Sequence, residues 1–252
     1  MTTLSTGKFV WFDYIAQDQA KALAFYGELF GWKTQEIPVG GGSYTMFLIN
    51  DQGIGGFMKT PAGAPPEAHW ISHLGVTDAK AAADQVKTLG GRVLKSPEKM
   101  GDYGTMGIVA DPLGGAFAVW QPGKADNDGD YKGIPGTWCW NELYTADPDR
   151  SVAFYSQLGG FTEDKMPMPN GIYHVLNGGG QPRAGVTTPP RPMPQQWMPY
   201  VQVASVDQSV EKAKRLGGTI HVPGDDVPGV GRLAILSDSQ GAMLGLLQPE
   251  KK

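Results

Sequence analysis

Four polar side chains that could carry chemistry recur at equivalent places in the 252-residue sequence: Asp13, His73, Glu142 and Tyr200. Each follows, two positions later, an apolar residue in a stretch typical of a β-strand: Trp11, Ile71, Trp140 and Met198. Because side chains two apart on a strand point to the same face of a sheet, we expect each polar group to lie beside its apolar neighbour.

The repeat relates these groups in pairs, Asp13 with His73 and Glu142 with Tyr200. An acid beside an apolar wall tends to have a raised pKa, and a nearby proton-handling partner makes it a reasonable acid–base unit. The four polar residues are therefore candidate catalytic groups in two clefts. Their apolar neighbours are candidate ligand contacts, although burial alone would also explain the tryptophans. Two structural alternatives stay open: an acid that bonds backbone or arginine, and an interior, hydrogen-bonded His73.

These residues belong to a fourfold repeat, which is the strongest signal in the sequence. The segment Asp18 to Trp32 returns as Asp147 to Phe161, with the same spacing from the aspartate to a Phe-Tyr pair. Each copy divides again into an apolar strand, an amphipathic helix and further β-strands. The predicted fold class is α+β, with tandem βαβββ modules at residues 8–60, 68–122, 137–188 and 195–249.

The modules predict two domains, residues 1–122 and 137–252, joined by a linker at 123–136 that is rich in Asp, Gly and Lys. Asp18 and Asp147 are predicted helix N-caps, and Pro148 suits a first helical position. Gly31 and Gly160 are predicted to end the same helices, since glycine tolerates the left-handed conformation there.

The order and motifs resemble the vicinal oxygen chelate superfamily, which includes glyoxalases, bleomycin-resistance proteins and extradiol dioxygenases. The matching residues are Asp18…Phe25-Tyr26…Phe30-Gly31-Trp32, Asp78…Leu89-Gly90-Gly91, Gly104…Asp111-Pro112…Gly114-Gly115 and their second-copy partners. The stretch from Val227 to Ala242 is similar to a two-domain branch of this superfamily. The resemblance implies two glyoxalase-type domains; it implies activity only weakly, because one fold hosts many chemistries.

Enzymes of this superfamily usually bind one divalent ion through His, Gln or Glu side chains. The resemblance places those ligands at six positions of this sequence, which hold Trp11, Trp140, Ile71, Met198, Ala118 and Gly245. None of these side chains can ligate a hard or borderline divalent ion. We therefore expect no cofactor and no usual metal site. A non-standard site that uses Asp13 and His73, with His69 or Glu28 as outside candidates, stays open as an alternative.

The composition restricts the kinds of partner that we expect for this protein. Hydrophobic residues at 40% suffice for a packed core, while a formal charge of −4 with scattered basic residues argues against nucleic acid. The sequence shows no signal peptide and no apolar stretch of spanning length, so we expect a cytoplasmic protein without a membrane partner. Its expected partner is a small-molecule ligand, and a monomer or homodimer is expected.

Three functions remain. The first is a metal-independent protein that binds a small molecule in a cleft. The second is a superfamily enzyme, such as a lyase, isomerase or dioxygenase-like oxidoreductase, that uses Asp13 with His73, Glu142 with Tyr200, or a non-standard metal site. The third is a protein–protein interaction module, which would have filled clefts and a large exposed apolar patch.

Overall fold

The computed structural model describes residues 7–39, 42–61, 63, 66–123, 133–168, 171–189 and 193–250. Most of the predicted linker lies outside these ranges, so the domain division at 123–136 stays a prediction. Within the described ranges, no helix is both long and apolar enough to cross a membrane.

The first half of the chain contains two βαβββ modules. The elements of the first are β1 (Phe9–Ala16), α1 (Gln19–Phe30), β2 (Lys33–Val39), β3 (Gly42–Ile49) and β4 (Gln52–Lys59). Those of the second are β5 (His69–Gly75), α2 (Ala79–Thr88), β6 (Arg92–Met100), β7 (Gly104–Ala110) and β8 (Ala116–Pro122).

The second half repeats this order. Its third module comprises β9 (Trp138–Tyr144), α3 (Pro148–Gly159), β10 (Thr162–Met168), β11 (Gly171–Gly178) and β12 (Gln181–Thr187). Its fourth comprises β13 (Gln196–Gln202), α4 (Val206–Arg215), β14 (Thr219–Val227), β15 (Gly231–Ser237) and β16 (Met243–Pro249).

The strands form two eight-stranded sheets with the same order. The first runs β2-β3-β4-β1-β5-β8-β7-β6, and the second runs β10-β11-β12-β9-β13-β16-β15-β14. In every module the first strand pairs in parallel with the last, while the three strands after the helix form an antiparallel meander. The predicted α+β class with tandem βαβββ modules is confirmed.

The described residues group into two compact units that recombine the modules. Unit 1 holds the helices and outer strands of the second and third modules, and unit 2 holds those of the first and fourth. The inner strands are divided between the units at four points: Trp11/Phe12, Trp70/Ile71, Cys139/Trp140 and Trp197/Met198.

The helix boundaries follow from their caps. The Asp18 carboxylate accepts from the Lys21 backbone N–H, and Asp147 accepts in the same way from Arg150, directly before Pro148. Side-chain acceptors satisfy backbone donors that the first helical turn leaves unpaired. Gly31 and Gly160 end these helices with φ of 75° and 67°, which is the left-handed conformation that glycine tolerates. The predicted caps are confirmed.

Unit 1 is held by a buried chain of hydrogen bonds. The Trp197 indole N–H donates to the Tyr155 hydroxyl at 2.8 Å, and that hydroxyl donates to Asp111 Oδ2 at 2.8 Å. The other carboxylate oxygen of Asp111 accepts the backbone N–H groups of Leu113 and Gly115. Asp111 belongs to the second module and Tyr155 to the third, so this network ties the two modules together.

Unit 2 contains the same device. The Trp70 indole donates to the Tyr26 hydroxyl at 3.2 Å, and Tyr26 donates to Asp238 Oδ2 at 2.8 Å. Burial, and secondarily the Asp238 charge, raises the pKa of Tyr26 well above its ordinary value. The hydroxyl therefore stays protonated as a donor, and it joins the first module to the fourth.

Candidate ligand site

Strand register places each candidate polar group opposite a small residue on the last strand of its own module. The four pairs are Asp13 with Gly56, His73 with Ala118, Glu142 with Gly185, and Tyr200 with Gly245. The same position therefore recurs four times, with one polar side chain that faces a glycine or an alanine. What fills the space above the small residue distinguishes the four modules.

In the first module, Tyr44 fills this space. Its hydroxyl donates to Asp13 Oδ1 at 2.5 Å, and Asp13 is only 3% exposed. A β-carbon added at Gly56 would lie 2.0 Å from the same hydroxyl. Glycine on β4 is therefore what lets the phenol reach the carboxylate, and Asp13 is paired with a tyrosine of its own unit.

In the third module, Tyr173 takes the equivalent place. Its hydroxyl donates to the Glu142 carboxylate and accepts the Trp140 indole N–H at 2.9 Å. A β-carbon at Gly185 would lie 1.9 Å from that hydroxyl and 3.1 Å from the Trp140 nitrogen. Glu142 is buried, whereas Tyr173 and Trp140 each keep part of their surface exposed.

The environment of Tyr173 sets its protonation state. Burial is the largest cause that raises its pKa well above the ordinary value, and the Glu142 charge and hydrogen bond raise it further. The Trp140 hydrogen bond acts in the opposite direction but is outweighed. Tyr173 is therefore a neutral phenol at physiological pH, and its proton points at a carboxylate.

The second module has no tyrosine at this place. His73 is 2% exposed and lies against Trp120, with ring centroids 6.1 Å apart in an edge-on arrangement. Ala118 and Ile71 are also buried. The histidine predicted as a proton-handling group thus sits in the packed base of its module.

In the fourth module the candidate residue itself fills the space. The Tyr200 ring covers Gly245, and a β-carbon there would meet ring atoms at 2.2–2.4 Å. Tyr200 is 4% exposed and Met198 is fully buried. Trp11, by contrast, is only half-buried.

The two predicted acid–base pairs stay predictions. Asp13 belongs to unit 2 and His73 to unit 1, while Glu142 belongs to unit 1 and Tyr200 to unit 2. The partners that the structure brings to the acids within each unit are Tyr44 and Tyr173, which the sequence interpretation missed. One signal could have found them: each tyrosine follows its acid by 31 residues.

The residues at the usual ligand positions do not fit a divalent metal. They offer indole, alkyl, thioether or no side chain, and among the described residues no group of three or more His, Cys, Asp or Glu could hold an ion. The outside candidates are exposed and engaged elsewhere. His69 Nδ1 lies 3.0 Å from the Glu67 carbonyl oxygen, and Glu28 lies 4.0 Å from Lys212 Nζ.

Comparisons with known proteins agree with this architecture. Residues 8–119 match the family described as Glyoxalase/Bleomycin resistance protein/Dioxygenase superfamily, and residues 140–246 match a glyoxalase-like domain. "Putative glyoxylase CFP32" of Mycobacterium tuberculosis is 36% identical over 245 residues, covering 95% of this chain and 94% of the relative. "Anthracycline biosynthesis protein DauV" of a Streptomyces species is 30% identical over 267 residues, covering 98% and 95%.

Among solved structures, the Mn(II)-bound glyoxalase from Novosphingobium aromaticivorans superposes with a TM-score of 0.65 at 17% identity. The match covers 97% of this chain and 82% of that one. At this identity the likeness concerns the fold alone. The chain belongs to the glyoxalase/bleomycin resistance protein/dioxygenase superfamily and carries two domains of that type.

Proposed function

We propose that this protein binds a small molecule and does so without a metal at the superfamily's usual positions. One observation carries the proposal: the tyrosines occupy, in two modules, the space above the glycines that pair with Asp13 and Glu142. A phenol–carboxylate pair thus stands at the repeated position, and its polar atoms can recognise a ligand directly.

The surroundings of these pairs suit a small, partly apolar ligand. Binding sites for such molecules combine apolar and aromatic walls with a few placed polar groups. Tyr44, Tyr173 and Trp140 all retain exposed surface, while the carboxyl groups of Asp13 and Glu142 are buried. The related names point to glyoxylase chemistry and to anthracycline biosynthesis, and both concern small organic molecules.

Elemental analysis and a ligand screen test this function together. Untagged protein is purified without chelators and assayed for metal before and after incubation with Mn, Fe, Ni and Zn. We expect no metal above background. Aromatic ligands from a thermal-shift library should raise the melting temperature, since a ligand at about 100 times its Kd stabilises the fold by about 2.7 kcal/mol.

The matched variants separate metal binding from ligand binding. Trp140→Phe keeps a ring but removes the indole N–H, so ligand stabilisation should decrease while the metal result is unchanged. Near-stoichiometric metal that is lost in Asp13→Ala or His73→Ala would overturn the metal-independent proposal and favour the non-standard site.

The second candidate function is an enzyme, favoured by the hydrogen bond that the Tyr44 hydroxyl donates to the buried Asp13 carboxyl group. A phenol held against a carboxyl group can position a proton for transfer. Asp13→Asn and Glu142→Gln should then abolish turnover while circular dichroism stays unchanged. Equal turnover in these variants and in the unaltered protein would eliminate this candidate.

The proposed setting is the cytoplasm, with a monomer or homodimer as the working form. Cell fractionation and light scattering of the purified protein test these two points.

A further inference from the structure

Two methionines lie exposed on β10, the strand at one edge of the second sheet. Met166 is 46% exposed and Met168 is 41% exposed, whereas every other methionine that the structure describes is half-buried or buried. The sulfur is the last heavy atom before the terminal methyl group of this side chain. An exposed methionine therefore presents its thioether to water, where an oxidant can reach it.

Strand register places both thioethers on one face of unit 1. Met166 pairs with Tyr173 and Met168 pairs with Gly171 across β10 and β11. Side chains two apart on a strand share a face, and so do side chains directly opposite each other on paired strands. Both methionines therefore lie on the face that carries the half-buried Tyr173 ring, and Met166 is the direct cross-strand neighbour of that ring.

The equivalent strand of unit 2 has no sulfur at this place. In β2 the two positions hold Ile37, opposite Tyr44, and Val39, opposite Gly42. Both side chains are branched hydrocarbons, and both residues are half-buried. The repeat thus has a version of this strand that oxidants can modify and a version that they cannot.

Oxygen added at this place should leave the fold intact. All residues of β10 from Asp164 to Met168 are exposed, so a sulfoxide oxygen there is solvated by water. The same reaction would put a polar atom into the packed core at Met106 or Met198, which are 3% and 0% exposed. The two methionines of β10 can therefore be oxidised without the unfolding that oxidation of the core methionines would require.

We propose that Met166 and Met168 form a reversible sulfoxidation site, which reacts with hydrogen peroxide before the other methionines of the described residues. A sulfur lone pair attacks one peroxide oxygen, the O–O bond breaks, and the hydroxide that leaves takes the proton from the transferred oxygen. Sulfur loses two electrons as the sulfoxide forms, and the peroxide is reduced to water. Methionine sulfoxide reductases return the thioether, so the modified strand is a substrate for that class of enzyme.

The experiment follows each methionine during oxidation of the folded, full-length protein. Samples in hydrogen peroxide at neutral pH are quenched at intervals and digested, and mass spectrometry gives the sulfoxide fraction at each residue. Met166 and Met168 should react at least about tenfold faster than Met106 and Met198, because susceptibility follows exposure. In concentrated urea the four rates should become similar. Incubation with the two sulfoxide reductases, one for each sulfoxide epimer, should restore the original mass.

The matched variant copies unit 2 onto unit 1. Met166→Ile with Met168→Val introduces the residue types of Ile37 and Val39, and the fast uptake of oxygen should disappear. Met100→Leu is the control, since it removes a half-buried methionine of the same unit by a conservative exchange. The fast uptake should be unchanged in this control. Circular dichroism melts should show the same melting temperature before and after the fast phase.

The contrary outcomes are equally definite. Rates at Met166 and Met168 that equal those of the core methionines in the folded protein would overturn the proposal, as would fast uptake that persists in the double variant. A lowered melting temperature after the fast phase, or a sulfoxide that the reductases cannot remove, would also overturn it. None of these measurements depends on a ligand, so the proposed small-molecule function is tested separately.

Discussion

The two phenol–carboxylate pairs have the same plan but different surroundings. In unit 2 the shorter acid Asp13 receives the Tyr44 hydroxyl at 2.5 Å. In unit 1 the longer acid Glu142 accepts a hydrogen bond from the Tyr173 hydroxyl. That hydroxyl in turn accepts the Trp140 indole N–H at 2.9 Å. The acid is one methylene longer in the pair whose phenol also accepts an indole N–H.

This difference suggests how a duplicated position diverges. The tyrosine and the facing glycine are the same in both copies, because a β-carbon at either glycine would clash with the phenol. The acid differs between the copies. We expect the stability contributed by the Glu142 pair to be more sensitive to changes in neighbouring side chains than that of the Asp13 pair, and the following experiments test this.

Alkaline pH should produce the largest effect. Tyr173, Tyr26 and Tyr155 all have pKa values raised above the ordinary value of 10.0, chiefly by burial. The folded state then holds these protons more tightly than the unfolded chain, so stability is complete below about pH 10 and is lost as pH rises further. For each such tyrosine, the free energy of unfolding should decrease by about 1.4 kcal/mol per pH unit between the pKa of the unfolded chain and that of the folded protein.

Urea unfolding followed from neutral to alkaline pH measures this loss, and Tyr173→Phe should reduce its slope. The conservative variant removes the raised group without removing the ring. A slope that is identical in Tyr173→Phe and the unaltered protein would contradict the assigned environment of Tyr173.

The glycine substitutions should come next. Gly185→Ala places a methyl group 1.9 Å from the Tyr173 hydroxyl and 3.1 Å from the Trp140 nitrogen. Overpacking of this kind typically costs about 1–3 kcal/mol, and we expect Gly185→Ala in the upper half of that range. Gly56→Ala, which displaces Tyr44, should fall in the lower half.

Denaturant midpoints at constant slope give the two free-energy differences. Gly63→Ala is no suitable control because its φ is +80°; Gly42→Ala at the start of β3 is one, since its nearest contact would be 3.8 Å away. A Gly56→Ala cost larger than that of Gly185→Ala would reverse the proposed dependence on neighbours.

Removal of the two phenols compares the pairs directly. Tyr173→Phe takes the donor from Glu142 and the acceptor from Trp140, and we expect a loss of about 2 kcal/mol at neutral pH. Tyr44→Phe takes the donor from Asp13, and we expect about 1 kcal/mol. Thermal melts measure both, and a double variant should give the sum because the pairs belong to different units.

The smallest effect concerns Cys139, next to Trp140. Burial raises the pKa of its thiol to about 12, and its Sγ lies 3.5 Å from the Tyr200 carbonyl oxygen. Because Cys139 as a whole is half-buried, its thiol should react with a disulfide reagent more slowly in the native protein than in the unfolded chain. Cys139→Val, which copies the equivalent Val10 of β1, should change the unfolding free energy by less than about 1 kcal/mol. Equally fast labelling of the native and the unfolded protein would contradict this raised pKa.

The fold was largely predictable because the repeated helix motifs include the residues that begin and end the helices. Asp18, Asp147, Gly31 and Gly160 cap the helices as predicted. The sequence pattern does not mark the bounds of the strand that follows each helix, and β2 shows why. Its residues are mostly exposed and do not alternate between polar and apolar, so they lack the period-two signal of a half-buried strand.

The candidate site was predictable only in part. The strand period put Asp13 and Glu142 on the same repeated position, and the register agrees with that equivalence. Their tyrosine partners lie on β3 and β11. Each of these strands pairs antiparallel with the strand that carries the facing glycine, β4 or β12. Such a contact depends on the register between strands, which the pattern within one strand does not specify.

The recombination of modules has a consequence for synthesis on the ribosome. Unit 2 needs the first and the fourth module, and its Tyr26–Asp238 bond spans 212 residues. When the first half of the chain has left the ribosome, neither unit has all of its parts, and Tyr26 and Asp111 still lack their partners. While the second half is still being synthesised, both units lack core residues that come from it. We therefore expect this protein to fold after translation rather than one domain at a time.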